Sequence, residues 1–464
     1  MKKIFLPTLL VLLLLSSANA KSNTYMDKIV KLWSLKTNGE VDFNTTKTED
    51  GYNLVISSKN KVFSTLVSKK PIKISVDEGP LITTPSFALG TASLSAKGNM
   101  LDIFSKELVG DINKSTLKSE PKFTFEGKVG FSDNYTSTLT IEPLEVNESD
   151  FTLKVSKIVD TGSYDLNSFT GKDSIKVDTI SIVPKKEKGH LKISGVSLNI
   201  NVPQEPIENY MLFSNTTLEL KKLDFSATNR SGKQMHSNLY AKVSGETKRV
   251  DANLLDAKFS LNTKALDADT IARAQGIKDL NLDFELKSLG IKGFVELLKL
   301  NKQMQKANQE LVEASNKGDD VAMQKAILKS QEFVQKMVPI WNNTFIKDKS
   351  KLVLDLNLKS DKTSYVKLDL VYKGEPISGN VQSAMISLMA QQLKLLDGTF
   401  DIAVDSQLAS TINPFAIMGL DMLKSKGFAT NKNGVYSLKG ELKGGKIILN
   451  GKAYTLPELT KALF

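Results

Sequence analysis

The sharpest match to a catalytic motif is Asp160-Thr161-Gly162, which follows the apolar pair Ile158-Val159. This tripeptide is typical of the active-site turn of aspartic proteases, in which two carboxylates share one proton. The chain contains no second Asp-Thr-Gly or Asp-Ser-Gly, so that chemistry would require a symmetric dimer. The same residues suit a tight turn after a strand over residues 151–159, and we predict a turn without catalysis.

Two other sets of residues could support chemistry. Ser115-Thr116-Leu117-Lys118 and Ser132-Asp133-Asn134 match two of the three serine β-lactamase motifs, but Lys-Thr-Gly is missing and the spacing leaves no room for the helical domain between them. His190 and His236 are the only histidines, and neither has a His or Cys neighbour in sequence. A metal site completed by distant Asp and Glu residues is one interpretation; we predict a structural or surface role for both.

The chain has no cysteine, which excludes disulfides, thiolate metal sites and cysteine nucleophiles. The nucleophile-elbow, P-loop and dinucleotide-binding motifs are missing as well. We therefore expect a protein that is not an enzyme and that carries no cofactor and no metal.

Three asparagines lie in Asn-x-Ser/Thr sequons with an acidic residue two positions earlier, namely Asn44, Asn113 and Asn147. Some bacteria glycosylate this extended pattern in the periplasm. Chance matches also arise in a chain rich in Lys, Asn and Asp, so glycosylation and chance are both open.

Alternation of apolar and polar residues predicts a long succession of strands, because successive side chains of a strand point to opposite faces. Turn residues separate them, as at Asp50-Gly51 and Asp77-Glu78-Gly79-Pro80. Helices are predicted over residues 25–35, 99–108 and 267–275. The predicted strands span residues 52–57, 72–76, 122–129, 136–141, 151–155, 175–182, 190–202, 217–225, 237–243 and 253–261.

Two similar strands, at residues 280–288 and 352–360, frame the longest helical pattern of the chain. Apolar residues recur every three or four positions over residues 297–314 and again over residues 322–337. This pattern predicts an αα-hairpin that covers the sheet. A moving lid or a docking arm is the alternative.

Local signals mark the ends of these two helices. Gly318 suits the left-handed position after the first helix, and Asp319 or Asp320 can cap the second. Pro339 and Trp341 close the second helix.

The C-terminal third alternates helices with strands, and helices are predicted over residues 381–396, 414–423 and 456–464. A hairpin is predicted between them across Gly444-Gly445. Methionine is frequent here, and its unbranched side chain suits changeable apolar contacts. An apolar groove or ordinary core filling would both use such residues. The candidate groove residues are Met385, Met389, Leu393, Met418 and Met422.

The N-terminus has the order of a cleavable export signal. Lys2 and Lys3 precede the apolar region Ile4–Leu15, and Ala18-Asn19-Ala20 supplies a small-residue cleavage site. The apolar region is too short to span a bilayer. We therefore predict that residues 1–20 are removed and that the protein is periplasmic.

The net charge of +11 comes mainly from lysines that are spread through strands and turns, whereas arginine occurs only at Arg230, Arg249 and Arg273. A nucleic-acid surface would concentrate Arg and Lys among exposed aromatic residues, so we predict no nucleic-acid partner. The excess of Lys favours solubility or weak attraction to an anionic membrane surface. Lipid, a membrane surface and other envelope proteins are the partners that stay open, and the oligomeric state is not determined.

Together these patterns predict a mainly β (α+β) fold, with a long, curved, mostly antiparallel sheet, an inserted αα-hairpin and short C-terminal helices. We expect a β-rich region over residues 21–289, the helical hairpin over residues 290–341 and a second β-rich region over residues 342–464. The second β-rich region is expected to continue the first sheet.

Several short motifs resemble the YdgA-like family of bacterial envelope proteins, whose function is unassigned. Glu78-Gly79-Pro80-Leu81 is similar to the family's His-Gly-Pro turn, with Glu in place of His. Gly434–Leu438 and Gly445–Lys452 are similar to its closing hairpin and Asn-Gly turn. The resemblance spans residues 25–464 and implies an envelope location without catalytic residues. Its members usually keep an N-terminal anchor, whereas the segment here has a cleavage site.

Two functions fit these expectations. The first is a non-catalytic periplasmic envelope protein whose apolar β groove binds lipid or another lipophilic ligand. The alternative is a structural or interaction protein that supports envelope assembly without a small-molecule ligand.

The export prediction can be tested on the native protein. Cleavage after Ala20 gives a mature chain that begins at Lys21, because the small residues at 18 and 20 fit the signal-peptidase site. Intact-mass measurement of protein released from the periplasm should give that mass. A membrane-bound chain that retains Met1 would show that the segment is an anchor instead.

Overall fold

The computed structural model describes residues 25–37, 41–58, 70–83, 88–100, 117–118, 121–186, 189–207, 210–228, 234–274, 276–376, 392–413 and 415–463. The chain forms two compact units that divide between Glu246 and Thr247. Both units are mainly β with antiparallel strand pairs, which confirms the predicted fold class at that level. The export segment at residues 1–20 and residues 101–108 of the predicted helix at 99–108 lie outside the described residues; Asn99 ends a strand.

Unit 1, the part of the chain up to Glu246, contains one described helix followed by thirteen strands, the last of which ends just past the division. These elements are α1 (Tyr25–Lys36), β1 (Val41–Thr48), β2 (Gly51–Ser58), β3 (Ile72–Thr83), β4 (Ala88–Asn99), β5 (Lys122–Val129), β6 (Asn134–Ile141), β7 (Leu144–Asn147), β8 (Phe151–Val155), β9 (Ile158–Asp165), β10 (Gly171–Pro184), β11 (Gly189–Val202), β12 (Asn215–Thr228) and β13 (Gln234–Arg249).

Unit 2, which starts at Thr247, interleaves strands and helices. Its described elements are β14 (Leu254–Ala265), α2 (Ala268–Arg273), β15 (Asp279–Gly290), α3 (Ile291–Lys317), α4 (Asp320–Thr344), β16 (Lys351–Lys359), β17 (Thr363–Tyr372), a short 3₁₀ helix (Gln392–Leu395), β18 (Leu396–Asp405), α5 (Ser406–Ile412), α6 (Ala416–Ser425), β19 (Thr430–Lys432), β20 (Val435–Lys443), β21 (Lys446–Leu449), β22 (Lys452–Tyr454) and α7 (Leu456–Leu463). Among the described residues, no helix is long and apolar enough to cross a membrane.

In unit 1 the helix α1 covers the apolar face of the sheet. Its apolar residues recur at helical spacing, and Met26, Ile29 and Val30 are fully buried. Trp33 packs against Phe43 of β1 and Phe125 of β5, with ring centroids 6.2 and 5.9 Å apart. Because each buried aromatic or aliphatic side chain contributes about 1.5–3 kcal/mol, this face stabilises the unit strongly.

The strand boundaries follow the alternation closely, since β5 and β8 occupy residues 122–129 and 151–155 as predicted. The predicted turn at residues 77–80 is wrong. These residues lie inside β3, and the pairing with β4 shifts register between Glu78 and Leu81. A β-bulge accommodates Gly and Pro within a strand, which explains why turn residues here do not end it.

In unit 2 the two look-alike strands are direct neighbours, with Leu282 of β15 opposite Leu356 of β16. The helices α3 and α4 lie between these strands in the sequence. Gly318 ends α3 with a φ of 66°, in the left-handed conformation that the sequence predicts. Asp319 caps α4, since its carboxylate accepts a hydrogen bond from the Ala322 N–H.

A small apolar core joins α3 and α4, formed by Leu300, Ala307, Phe333 and Ile340. The apolar positions predicted for the two helices are only partly buried, because Met304 of α3 and Met337 of α4 are 40% and 38% exposed.

A buried ion pair fixes the C-terminal end of α1 on the sheet of unit 1. The Lys36 ammonium lies 2.6 Å from the Asp173 carboxylate of β10, and both side chains are more than nine-tenths buried. The Tyr164 hydroxyl donates a second hydrogen bond, of 2.7 Å, to the same carboxylate oxygen. Gly162 makes room for this carboxylate, because a Cβ at that position would lie 2.5 Å from its other oxygen.

The predicted turn at Asp160 is wrong as well. Asp160 and Gly162 lie inside β9, where Asp160 is opposite Leu139 of β6 and Ile175 of β10. Gly162 suits a strand here because of the space that the Asp173 carboxylate requires. Register between strands that are distant in sequence therefore decides the conformation of this tripeptide.

Burial and the negative charge of Asp173 together raise the pKa of Asp160 to about 7, against the opposing positive charge of Lys36. Within the described part of the chain, Oδ1 of Asp160 has no hydrogen-bond partner. Asp173 is held by Lys36 of α1 and Tyr164 of β9, so its carboxylate joins the helix to the sheet.

We predict that Asp160→Asn stabilises the protein at neutral pH and much less at pH 4. The native state holds the Asp160 proton up to about pH 7, whereas the unfolded chain releases it near pH 4, so the wild type loses stability as pH rises through this window. The loss is on the order of 4 kcal/mol, because the pKa differs by about three units between the two states and one unit corresponds to about 1.4 kcal/mol. Urea unfolding of the wild type and of Asp160→Asn at pH 4, 5.5 and 7.5 measures the difference in their free energies of unfolding. An equal difference at all three pH values would contradict the raised pKa.

Candidate functional site

Apolar side chains form continuous rows across six strands of unit 2. Each strand alternates, and the observed register places apolar residues opposite one another on a single face. We call this surface the apolar face of unit 2. One row consists of Leu261, Leu282, Leu356, Val366, Ile402 and Leu438, and the next consists of Phe259, Phe284, Leu354, Leu368 and Phe400.

The burial of this face differs from that of the unit 1 core. All the residues of both rows are only half-buried, apart from Phe259, which is 40% exposed. In unit 1 the corresponding face contains fully buried residues such as Leu94, Tyr135 and Leu139. A contiguous apolar surface that is not fully buried is a candidate site for a ligand or a partner.

A cavity of about 520 Å³ lies at one end of this face. It is open on one side, and its volume falls within the range of about 300–1,000 Å³ that is typical of small-ligand sites. We call it the unit 2 pocket. Its lining consists of Phe284, Leu286, Trp341, Phe345, Ser350, Lys351, Leu352, Leu370, Tyr372, Leu395 and Leu396.

Three aromatic rings form one wall of the pocket. Trp341 near the end of α4 lies 4.4 Å from Phe345 and 6.3 Å from Tyr372, measured between ring centroids. The Trp341 indole N–H donates a 3.0 Å hydrogen bond to the Tyr372 hydroxyl. The polar atom of Trp341 is therefore satisfied within the wall, and the rings offer apolar surface to the cavity.

The other polar groups of the lining are also occupied or exposed. The Ser350 hydroxyl donates to the Ser288 carbonyl at 2.9 Å and accepts from the Ile346 N–H at 2.8 Å. Lys351, at the start of β16, is exposed to solvent. The pocket thus suits an apolar ligand, since such a ligand would leave no lining hydrogen bond unmade.

The three predicted groove residues that the structure describes are not part of this pocket lining. Leu393 is half-buried in the 3₁₀ helix just before the lining residue Leu395, while Met418 and Met422 lie on α6 outside the lining. Met385 and Met389 lie outside the described residues. Phe345 lies four residues after Trp341 at the end of the same helix, whereas Tyr372 approaches Trp341 only through the tertiary fold and could not be predicted from the sequence.

The candidate glycosylation sites differ in their surroundings. Asn44 is exposed on β1. Asn147 is half-buried at the end of β7, where its side-chain oxygen accepts a 2.8 Å hydrogen bond from the Thr152 hydroxyl. Asn113 lies outside the described residues. Glycosylation of these residues stays a prediction.

The two histidines converge on one carboxylate of unit 1. Their Nε2 atoms lie 2.9 Å (His190) and 3.0 Å (His236) from the same oxygen of Asp224. The register of β11, β12 and β13 brings them together, because Ser226 lies opposite both histidines. Burial alone would raise the pKa of Asp224, but hydrogen bonds from His190, Lys222 and His236 lower it to about 2.

The Ser226 hydroxyl is 2.8 Å from Nδ1 of His190, which completes a Ser–His–Asp chain of hydrogen bonds. Acyl transfer also needs preorganised N–H donors for an oxyanion. Ser226 lies within β12 between two paired strands, so the backbone amides around it serve the sheet. Among the described residues no group of His, Asp or Glu is arranged to hold a metal ion. The cluster thus links three strands.

Comparison with known proteins gives a family but no characterised relative. No curated protein and no solved structure matches the sequence. Residues 65–457 match the family described as bacterial protein of unknown function (DUF945), which spans most of the chain and both units. A bacterial family without an assigned function agrees with the coarser part of the resemblance drawn from the sequence. The chain therefore belongs to the DUF945 family of bacterial proteins.

Proposed function

We propose that this protein is a non-catalytic periplasmic protein of the bacterial envelope that binds the acyl chain of a lipid in the unit 2 pocket. The observation that carries the proposal is the pocket itself. It is a cavity of about 520 Å³ with aromatic and aliphatic walls, next to an apolar face that is only half-buried. Burial of methylene groups is favourable by about 0.8 kcal/mol each, so an acyl chain gains much from this site.

The position of the pocket also supports a lipid ligand. Phe284, Leu352 and Leu370 belong at once to the pocket lining and to the apolar strands of the sheet. A long chain that enters the pocket can therefore continue along the apolar face, whereas a compact ligand would leave that face uncovered.

Three finer parts of this proposal come from the sequence. The export signal at residues 1–20 favours a periplasmic location, and the short motifs near both ends favour the YdgA-like group. A curved sheet would turn the apolar face into a groove, as the long succession of one-faced strands predicts.

A structural or interaction protein is the second candidate. It is favoured by exposed apolar side chains on the paired helices, because Val312 of α3 is 59% exposed and Val321 and Leu328 of α4 are 79% and 60% exposed. Such residues can contact another envelope protein without any small ligand.

We predict that Leu370→Trp weakens binding of radiolabelled palmitate at least ten-fold, measured by equilibrium dialysis. The larger side chain fills the pocket, so the ligand loses contact area; ten-fold corresponds to about 1.4 kcal/mol. Leu218→Trp is the matched control, because Leu218 is a half-exposed apolar strand residue of unit 1 outside the pocket. It should bind as the wild type does.

Circular dichroism and thermal unfolding of both variants verify that each is folded, since overpacking costs about 1–3 kcal/mol. Wild-type protein that binds no palmitate and releases no lipid on organic extraction would overturn the lipid proposal in favour of the structural one. An equal loss of palmitate affinity in both variants would show that palmitate does not bind in this pocket.

A further inference from the structure

The helix α6 exposes an apolar strip that no part of the described chain covers. Phe415 directly precedes α6. Met418 lies three residues after Phe415 and Met422 lies four residues after Met418, so the three side chains share one side of the helix. Phe415 is 75% exposed and Met418 is 68% exposed, while Met422 is half-buried. We call these three residues the Phe415–Met422 strip.

The whole helix is unusual in its lack of burial. Seven of its ten residues are apolar or glycine, yet none of them is buried. A Cβ added at Gly419 would meet no atom within 4 Å, so the space beside the strip is open. By comparison, the similarly short α1 buries seven residues. In water an apolar helix face of this kind is unfavourable, which indicates that something covers it in the cell.

Local hydrogen bonds hold the backbone between Asn413 and Ala416, where the strip begins. The Phe415 N–H donates to the side-chain oxygen of Asn413 at 3.0 Å, and the Ala416 N–H donates to the Asn413 carbonyl at 2.9 Å. Phe415 is thereby held at the corner between α5 and α6. Phe415 is therefore exposed at a turn whose backbone is fixed by hydrogen bonds.

Charge indicates what kind of surface covers the strip. Lys424 and Lys426 are exposed at the C-terminal end of the helix, directly after the strip. The single carboxylate of the helix, Asp421, accepts a hydrogen bond from the Tyr436 hydroxyl at 2.5 Å. The covering surface must accept apolar side chains and must attract lysines. An anionic lipid surface does both, since its acyl region accepts Phe and Met while long Lys side chains reach the phosphates.

We propose that the Phe415–Met422 strip, with Lys424 and Lys426, docks this protein on the surface of an anionic lipid bilayer. The helix would lie in the headgroup region with the strip inserted. The proposal goes beyond lipid binding in the unit 2 pocket, because it rests on a different surface and requires no ligand in the pocket.

Flotation with lipid vesicles tests this inference on the full mature chain. We expect wild-type protein to float with vesicles of phosphatidylcholine and phosphatidylglycerol in a 3:1 ratio and much less with pure phosphatidylcholine. The double variant Phe415→Ser/Met418→Ser should reduce partitioning at least ten-fold. Lys424→Gln/Lys426→Gln should remove most of the preference for the anionic vesicles and of its salt dependence.

Val321→Ser is the matched control, because Val321 is an exposed apolar residue of another helix; it should float as the wild type does. The Leu370→Trp variant should also float as the wild type does, because Leu370 lines the unit 2 pocket and is not part of the strip. This result would separate docking through the strip from ligand binding in the pocket. Wild type that floats with neither vesicle, or a Phe415/Met418 variant that floats unchanged, would overturn docking through this strip. A wild-type dimer that the same variant converts to monomer would assign the strip to self-association and overturn the proposal as well.

Discussion

Burial of one face of each strand is the constraint on which the rest of the structure depends. Period-2 alternation gives every long strand an apolar side, and a sheet of such strands must cover that side to be stable in water. Unit 1 meets this requirement with α1, whose Met26, Ile29 and Val30 are fully buried. In unit 2 the corresponding rows stay half-buried. This unmet part of the requirement is the reason why we propose unit 2 as the place for a ligand.

The surroundings of the polar groups of unit 1 follow from the same constraint. Asp173 lies on the covered face of unit 1, where an unpaired charge would be costly, and Lys36 and Tyr164 compensate it. Asp160 lacks such compensation, which is why its pKa is raised. On the exposed histidine-bearing side of β11–β13, Asp224 is bound by His190 and His236 instead. The ion pair and the hydrogen bonds of Asp173 and Asp224 connect neighbouring strands and α1.

The two proposed lipid contacts use apolar surface in different ways. The pocket beside Trp341 is concave and its polar atoms are satisfied internally, which suits a single acyl chain. The strip at Phe415 and Met418 is an exposed helix side with lysines at its end, which suits a lipid surface. Both lie in unit 2, the unit whose apolar surface the fold leaves accessible.

Features that depend on local interactions could be predicted from the sequence alone. Strands such as β5 and β8, the left-handed Gly318 and a cap at Asp319 or Asp320 follow from periodicity and from the conformational preference of single residues, and the structure uses Asp319. Tertiary structure decided the rest. Asp160 lies in a strand, the two histidines both contact Asp224, and Tyr372 packs against Trp341 and Phe345. These outcomes depend on the register between strands distant in sequence, and a change of one residue in register would move every side chain of a strand to the other face.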